Sequence, residues 1–470
     1  MRSRGEVMVE LSKHAVQNAI GVLRQIMPGQ VETGMAMREQ HANTITFLPN
    51  QPPDAVVFAR STADVVEVVR VAREHRVPVI AFGAGSSLEG HVNAPFGGIS
   101  LDLSRMTAIL AVNHGDLDAT VEAGVTRVQL NTHLRDMGLF FPVDPGAEHA
   151  TLGGMAATRA SGTNAVRYGT MRENVVSVTA VMANGTIVKT GGRARKSAAG
   201  YDLTRLLVGS EGTLGIITEL TLRLYGIPER IVAAVVPFGA LAGAASATIE
   251  AIQIGLGLAR IELLDPLQIR AVNLHSKLSL AEAPTLFVEF HGSGTGVAEQ
   301  VEAFRSIAEA NGAQGFEAAE AEEERRRLWK ARHDAYWATK SAWPGRKTLA
   351  TDVCVPISKL AACIAETEDD IRRLGLVCPI VGHVGDGNFH ATPVVDTDDA
   401  REMAALDEML RRLAERAIAM DGTCTGEHGI GQGKITYLEK EAGVGGIAAM
   451  RAIKAALDPD GILNPGKILA

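Results

Sequence analysis

The chain has 470 residues, of which 46% are hydrophobic and 21% charged, with a formal net charge of −8. This length exceeds the roughly 250–300 residues at which one hydrophobic core stops growing, so at least two domains are expected. The negative charge argues against a nucleic-acid partner, and no apolar run reaches the roughly 18 residues of a transmembrane helix. The four cysteines form no CxxC pair, which argues against a disulfide framework, a zinc finger or an iron–sulfur cluster.

The first half of the chain is predicted to alternate amphipathic helices with short apolar strands. Helices are predicted over residues 12–26, 61–76 and 126–137, because apolar residues recur there at helical spacing. Strands are predicted over residues 77–82, 99–103, 119–123, 175–182, 186–190 and 216–224. Asn184-Gly185, between two of these strands, is a strong signal for a hairpin turn.

Pro228 marks a predicted domain boundary. The region beyond it is rich in Ala and Glu, with a strand predicted over 285–290, and the charged run 317–327 is interpreted as a solvated helix face. A second hairpin is predicted near 380–395, and a glycine-rich loop over 421–433. No internal repeat is visible in the sequence.

Four glycine-rich loops fall in the first half of the chain, at 83–90, 145–154, 161–169 and 209–215. The first loop follows a strand, but Leu88 stands where the third glycine of a Rossmann fingerprint belongs, and no helix starts after it. No Gly-Lys-Ser/Thr ends the loop, so it is not a P-loop. Backbone N–H groups at glycines can bind a pyrophosphate without a cationic side chain. Four such loops together predict a long ligand bound along one domain.

A histidine pair in the second predicted hairpin suggests a metal site. If Asp386-Gly387 forms a two-residue turn, His383 and His390 stand directly opposite each other on one face. Glu427, followed by His428, offers a third ligand, and two histidines with one carboxylate suit a metal that keeps open positions. The alternative is that the two rings stack in the core of the hairpin.

All three tryptophans of the chain lie in one predicted helical stretch, at 329, 337 and 343. Trp329, His333, Tyr336, Trp337 and Lys340 are predicted to share one face. The plain interpretation is an aromatic stripe that faces the core. The functional interpretation adds Arg332, whose planar guanidinium suits the binding of a substrate carboxylate.

The loop sequences carry a family resemblance. The series VPVIAFGAGSSLEGH, PVDPGAEHATLGGMAATRASGTNAVRYGTMREN and VGSEGTLGIITELTL resembles the FAD domain of the vanillyl-alcohol-oxidase-type flavoproteins. Within that superfamily the chain resembles the FAD-linked D-lactate dehydrogenases of the cytochrome-linked kind, over about residues 50–470. The resemblance implies an α+β fold, with a two-subdomain FAD-binding domain and an antiparallel-sheet cap domain over the isoalloxazine ring. The implied division is a helical segment at 1–50, the FAD-binding domain at 51–228, the cap or substrate domain at 229–420, and a C-terminal segment at 421–470.

The resemblance also assigns residues to FAD. The pyrophosphate would contact Gly83, Ala84, Gly85, Ser86 and Ser87. The ribityl chain and flavin would be lined by Pro145, Gly146, Thr151, Gly154, Ser161 and Gly162. Glu211, Gly215 and Ile217 would lie along the adenine half, and Asn464 would return towards the flavin. Some members of the superfamily attach flavin through histidine, for which His91 and His149 are the candidates, but the subgroup that this chain resembles binds FAD non-covalently.

The same resemblance gives the metal motif its roles. Members of the family carry GHxGDGNxH and a later Glu-His, so His383, His390 and Glu427 would bind a divalent metal, zinc or manganese. His428 would be the catalytic base, and Arg332 would hold the substrate carboxylate. Relatives that act on D-2-hydroxyglutarate often have Asn two residues after the second metal histidine. Thr392 stands there in this chain, which favours a monocarboxylate.

The predicted activity is oxidation of D-lactate, or another short D-2-hydroxy acid, by hydride transfer to FAD. Electrons would pass to an external acceptor, which is a cytochrome, a quinone or an electron-transfer flavoprotein. The alternatives are a glycolate oxidase catalytic subunit, a D-2-hydroxyglutarate dehydrogenase and a non-catalytic flavin sensor. A cytoplasmic location is expected, with peripheral binding to the inner membrane and a homodimer left open.

Overall fold

The computed structural model describes residues 4–42 and 48–469. Side chains are described for residues 13–42 and 48–469, and only the backbone is described for residues 4–12. The chain divides into two compact units. The first unit consists of Met1–Ala160, Thr170–Gly226 and His428–Ala470, and the second of Ser161–Gly169 and Ile227–Glu427. The division after Gly226 lies two residues before the predicted boundary at Pro228.

The elements are numbered in chain order. Those up to residue 226 are α1 (Arg4–Ile26), β1 (Val31–Glu32), α2 (Met35–Gln40), β2 (Ala55–Phe58), α3 (Thr62–His75), β3 (Val79–Phe82), β4 (Ile99–Asp102), β5 (Ile109–Asn113), β6 (Asp118–Glu122), α4 (Arg127–Leu134), β7 (Leu139–Phe140), α5 (Leu152–Thr158), α6 (Ala165–Tyr168), α7 (Met171–Asn174), β8 (Val175–Val181), β9 (Ile187–Lys189), α8 (Leu203–Leu207), β10 (Ile216–Arg223) and β11 (Tyr225–Gly226).

The elements of the remaining chain are β12 (Arg230–Pro237), α9 (Leu241–Gln253), β13 (Leu258–Leu264), α10 (Pro266–Ser276), β14 (Thr285–Gly292), α11 (Gly294–Ala310), β15 (Glu317–Ala319), α12 (Glu322–His333), α13 (Ala335–Ala342), β16 (Lys347–Thr348), β17 (Val353–Cys354), α14 (Leu360–Leu374), β18 (Ile380–Gly382), β19 (Asn388–Ala391), β20 (Val394–Val395), α15 (Ala400–Ala419) and α16 (Ile435–Leu457).

The first unit contains a small sheet in the order β1-β2-β4-β3, in which β2, β4 and β3 run parallel. Helix α3 is capped by Ser61, whose side chain accepts a hydrogen bond from the Asp64 backbone N–H. Its buried side chains include Val65, Val68 and Val69, which join the core of this unit. The 83–90 loop leaves directly from the end of β3.

The second sheet of this unit is antiparallel, in the order β5-β6-β10-β8-β9. Strands β8 and β9 pair around the Asn184-Gly185 turn, as the sequence predicts. Leu220 and Leu222 on β10 are fully buried, in agreement with the alternating pattern of residues 216–224. The 209–215 loop enters β10 and therefore lies at the end of this sheet.

The second unit is built on a seven-stranded antiparallel sheet in the order β15-β12-β14-β13-β18-β19-β17. Alternate residues of β12 belong to different cores: Val232, Ala234 and Val236 pack with α9 and α11, while Ala233 and Val235 pack with α10 and α12. Helices therefore cover both faces of the sheet, which explains why its central strands are apolar on both sides.

The predicted aromatic face over residues 329–340 is wrong. Helix α12 ends at His333, and α13 begins at Ala335 after the non-helical Asp334. The break removes the helical spacing between the two halves, so Trp329 is buried while Trp337 is 49% exposed. The charged run 317–327 is in part the predicted solvated helix: residues 317–319 form β15, whereas residues 322–327 begin α12 and are largely exposed. Within the described residues, no helix is long and apolar enough to span a membrane.

Candidate functional site

The histidine hairpin forms, but its predicted register is wrong. Val381 pairs with His390, and the connection is a 3₁₀ turn at Val384–Asp386 that Gly387 closes at a φ of 78°, in place of a two-residue turn. The His383 carbonyl accepts the N–H of Asn388, so His383 stands diagonally across from His390. Diagonal neighbours on one face remain within reach of long side chains, and the two imidazole centroids are 5.3 Å apart.

Three side chains of the second unit converge beside this hairpin. The Nε2 atom of His383 lies 3.1 Å from Oε1 of Glu427, and the Nε2 atom of His390 lies 3.4 Å from the same oxygen. One ligand atom from each of these residues lies within 4.8 Å of the other two. Both histidines are buried, at 9% and 7% exposed. Two imidazole nitrogens and a carboxylate so placed form a donor set that suits a divalent transition metal.

The second ring nitrogen of each histidine also has a hydrogen-bond acceptor beside it. Nδ1 of His390 donates to the carbonyl of Thr351 at 2.7 Å, and Nδ1 of His383 lies 2.8 Å from Oε1 of Glu262. Both partners are acceptors, so each Nδ1 carries a hydrogen, and each Nε2 faces Glu427. This outer arrangement is the one that orients histidines for metal binding.

The electrostatics of the cluster favour the charged forms of His383 and Glu427. Burial lowers the pKa of His383, but the carboxylates of Glu262 and Glu427 outweigh it and raise that pKa well above the ordinary value. Burial raises the pKa of Glu427, yet His383 and His390 hold it well below the usual range. The cluster therefore stabilises positive charge at the point where the three ligand atoms meet.

Asp352 holds the Glu427 loop in place. Its carboxylate accepts the Glu427 N–H at 2.9 Å, the Thr425 hydroxyl at 2.7 Å and the Asn388 amide at 2.8 Å. A Cβ at Gly426 would lie 2.3 Å from Nδ2 of Asn388, so only glycine allows this close approach. The loop that carries the third candidate ligand is thus fixed to the strand that carries the second.

Arg332 lies on α12, buried at 7% exposed. Its Nε donates to Oε2 of Glu262 at 2.9 Å, and its Nη2 lies 2.5 Å from the same oxygen. Arg332 and His383 are therefore linked through one carboxylate. His428 directly follows Glu427, where the chain passes from the second unit to the first.

In the first unit, two of the glycine loops come together. A Cβ at Gly83 would lie 2.3 Å from Oγ1 of Thr151, so the backbone of the 83–90 loop lies directly against Thr151. Thr151 caps α5 and accepts the N–H of Gly154 at 3.3 Å. The structure thus brings together Gly83, predicted for the pyrophosphate, and Thr151, predicted for the ribityl and flavin region.

Glu211 organises the other loops of this unit. Its carboxylate accepts the backbone N–H groups of Ile430 and Gly431 at 2.7 and 2.8 Å, and His91 Nε2 lies 3.2 Å from it. Asn464 Nδ2 donates to the Glu211 carbonyl at 2.7 Å. Because these groups bond to one another, they position the loops, and their predicted contact with FAD stays a prediction.

The other residues predicted for FAD are distributed over both units. Gly215 lies directly before β10, and Ile217 is the second residue of that strand. Gly146 is exposed, and Pro145 is partly buried. Residues 85–87 follow Gly83 in the loop after β3. Ser161 and Gly162 belong to the segment grouped with the second unit. His149, one of the two candidates for covalent attachment, is exposed.

Several residues of these sites were not singled out from the sequence. Glu262 and Asp352 lie far from the histidine motif in sequence, so no local pattern marks them. Among the described residues, two buried hydroxyls have no hydrogen-bond partner: that of Ser87, which was assigned to the pyrophosphate, and that of Ser210, which was not assigned a role although its loop was identified. Burial lowers the pKa of Lys467 to about 8, although Glu211 opposes this, and its ammonium donates to the Asn93 carbonyl.

Two family models match successive parts of the chain. A family model described as FAD binding domain matches residues 53–191, and one described as FAD linked oxidases, C-terminal domain, matches residues 227–468. The fold is also that of p-cresol methylhydroxylase, with a TM-score of 0.80 at 17% identity over 97% of both chains. At this identity the likeness establishes the α+β fold of the vanillyl-alcohol-oxidase type alone.

Curated relatives cover nearly the whole chain. A probable mitochondrial D-lactate dehydrogenase of Danio rerio is 51% identical over 97% of this chain and 92% of its own. A mitochondrial D-lactate dehydrogenase (cytochrome) of Arabidopsis thaliana is 46% identical over 89% of this chain and 73% of its own. A glycolate oxidase subunit of Bacillus subtilis is 35% identical over 89% of both. The chain therefore belongs to the FAD-linked oxidase family that includes these D-lactate dehydrogenases, within the vanillyl-alcohol-oxidase-type flavoproteins.

Proposed function

We propose that this chain is an FAD-dependent dehydrogenase that oxidises D-lactate, and other short D-2-hydroxy acids, to 2-oxo acids. The observation that carries the proposal is the convergence of His383, His390 and Glu427 in a chain with an FAD-binding domain. A 2-hydroxy acid carries its hydroxyl and its carboxylate on the same carbon. A metal centre with open positions, together with a buried arginine, offers partners for both groups.

The residues of the first unit fit a non-covalently bound FAD. The 83–87 and 145–154 loops supply backbone N–H groups next to Thr151, and the buried Ser87 and Ser210 hydroxyls lack partners within the described chain. Backbone groups of this kind bind a pyrophosphate. FAD, when bound, supplies the hydride acceptor of the reaction.

The residues of the second unit fit a divalent metal, zinc or manganese. Both histidines keep Nε2 directed towards Glu427 because Glu262 and Thr351 hold their Nδ1 hydrogens. A metal bound there would act as a Lewis acid on the substrate hydroxyl.

We assign two further roles to residues of the chain. Arg332 binds the substrate carboxylate, since its guanidinium is buried and its position is fixed by Glu262. His428 accepts the proton of the substrate hydroxyl, a role that rests on its place directly after Glu427 and on the family resemblance.

The substrate proposal favours a monocarboxylate. Thr392 is 2% exposed and stands where relatives that act on D-2-hydroxyglutarate often have Asn, so D-lactate is preferred to that dicarboxylate. A glycolate oxidase subunit is the second candidate, because the Bacillus relative is 35% identical. A flavin sensor would bind FAD without responding to any hydroxy acid.

Electrons from the oxidised substrate would pass through a bound FAD to an external acceptor, and the name of the Arabidopsis relative favours a cytochrome. A quinone and an electron-transfer flavoprotein stay alternatives. A cytoplasmic location stays a prediction, with peripheral membrane binding and a homodimer left open, and two of the relatives are named as mitochondrial.

The test is to mix the yellow protein, free of oxygen, with D-lactate, L-lactate, glycolate and D-2-hydroxyglutarate, and to follow the flavin absorbance. We expect D-lactate to give the highest kcat/KM with an artificial acceptor. A higher kcat/KM for glycolate or D-2-hydroxyglutarate would replace the proposed substrate. A spectrum that none of the four acids changes would favour the sensor.

A further inference from the structure

Glu262 is a carboxylate in the interior of the second unit. It lies on β13, in register with Phe287 of β14, and it is 1% exposed. Burying a charge in a sheet core is costly unless it is paired and hydrogen-bonded. The partners of Glu262 therefore explain why a carboxylate is found at this position.

The two oxygens of Glu262 have different partners. Oε1 lies 2.8 Å from Nδ1 of His383, while Oε2 accepts from Nε of Arg332 at 2.9 Å and lies 2.5 Å from its Nη2. One side chain thus contacts both a candidate metal ligand and the candidate carboxylate-binding arginine.

Each contact leaves the other end of its partner directed away from Glu262. With Nδ1 of His383 engaged, Nε2 of that ring faces Glu427, 3.1 Å away. With Nε and Nη2 of Arg332 engaged, Nη1 makes no hydrogen bond to any residue that the structure describes. A guanidinium held along one edge presents its remaining donors in a fixed direction, which suits a planar carboxylate.

We infer that Glu262 is a positioning residue, which sets the distance and orientation between the metal-binding nitrogen of His383 and the carboxylate-binding guanidinium of Arg332. The inference rests on the proposed function. In a 2-hydroxy acid the hydroxyl and the carboxylate are separated by a single carbon. A carboxylate shared between the two binding groups therefore holds them at one spacing, and substrate orientation contributes strongly to rate.

The chain contains a matched control. Glu289 on β14 is 4% exposed, its Oε1 lies 2.8 Å from Nε2 of His291, and the same oxygen lies 3.6 Å from Nη1 of Arg260. It is thus another buried carboxylate that contacts one histidine and one arginine, but neither partner belongs to the candidate metal and substrate groups. Glu289→Gln measures the cost of neutralising such a carboxylate in this sheet.

The variant that tests the inference is Glu262→Gln. A glutamine has one oxygen and one amide NH₂, so it cannot accept from both His383 and Arg332. We expect affinity for zinc or manganese, measured by competition with a chromophoric chelator, to fall about 10–100-fold, as is typical for lost outer partners of metal ligands. We expect the KM for D-lactate to rise about 10-fold or more. Glu289→Gln should leave both quantities within about 2-fold of wild type.

A second pair of variants separates the two contacts. In an Arg332→Lys background, Glu262→Gln should still weaken metal binding but should add little to KM, because coupled residues show non-additive effects. If Glu262→Gln does not fold, Glu262→Asp keeps the charge but is one methylene too short to reach both partners, and the same losses are expected.

The outcomes distinguish the inference from the proposed function. If wild type binds no divalent metal and is not reduced by D-lactate, the proposed function fails. If wild type does both, while Glu262→Gln matches Glu289→Gln in metal affinity and KM, then Glu262 is a structural carboxylate and the inference alone is overturned. The inference is also overturned if Glu262→Gln and Glu289→Gln both weaken metal binding and raise the KM for D-lactate to the same extent.

Discussion

Glu211→Gln should lower the thermal stability of the first unit. The Glu211 carboxylate, 6% exposed, accepts two backbone N–H groups at 2.7 and 2.8 Å. A glutamine can accept only one of them and turns its NH₂ towards the other. Losing one bond to a charged group and leaving a buried N–H unpaired costs about 2–4 kcal/mol. For a unit of this size, that corresponds to a fall in Tm of roughly 5–15 °C.

The assay is the rise in FAD fluorescence as the protein is heated, which reports release of the flavin. Glu219→Gln is the control, because Glu219 accepts a single hydroxyl hydrogen bond from Thr179. Burial raises the pKa of Glu211, but His91 and the two N–H groups outweigh it and lower that pKa. The stabilisation is therefore present above the unfolded pKa and lost as pH falls through the folded one. An equal release temperature for wild type and Glu211→Gln at pH 7 would refute the reasoning.

Three further predictions concern the flavin, a buried aspartate and the base. Acid precipitation should release the yellow colour into the supernatant, whereas colour kept in the pellet would establish a covalent bond. Asp265 caps α10, and burial raises its pKa from 3.8 to about 7. This carboxyl therefore destabilises the folded state more and more as pH rises between these two values. Asp265→Asn keeps the cap. Its free energy of unfolding, relative to that of wild type, should rise on the order of 1–3 kcal/mol between pH 5 and pH 8. Urea unfolding at both pH values measures this gain, and a difference that is independent of pH would contradict it. His428→Ala should keep its metal but lose about 10²–10⁴ in the rate of flavin reduction, and a wild-type rate would exclude it as the base.

Much of the architecture follows from local sequence patterns. The β8–β9 hairpin, the Ser61 cap and the position of β10 are set by neighbouring residues, because turn chemistry and alternation act over a few positions. The division of the chain beside Pro228 also has a local signal.

The details of the candidate metal centre depend on longer-range packing. The Gly387 Cα approaches the Val355 carbonyl so closely that a Cβ would lie 2.1 Å from it, and this packing accompanies a 3₁₀ turn in place of the predicted two-residue turn. The proximity of His383 and His390 was predicted, but from a register that the structure corrects. Glu262 is 121 residues from its histidine partner, so no local pattern could identify it.

The central claim is that the ligand set of His383, His390 and Glu427 binds a divalent metal that flavin reduction requires. The most direct measurement is the anaerobic rate of flavin bleaching by D-lactate, with metal content determined on the same samples. We expect rapid bleaching in the metal-loaded protein, almost none after chelation, and recovery when zinc or manganese is restored. His383→Ala and His390→Ala should stay yellow but fail to bleach. Metal-free protein that is reduced at the full rate would contradict the claim and would leave the histidine pair as packing.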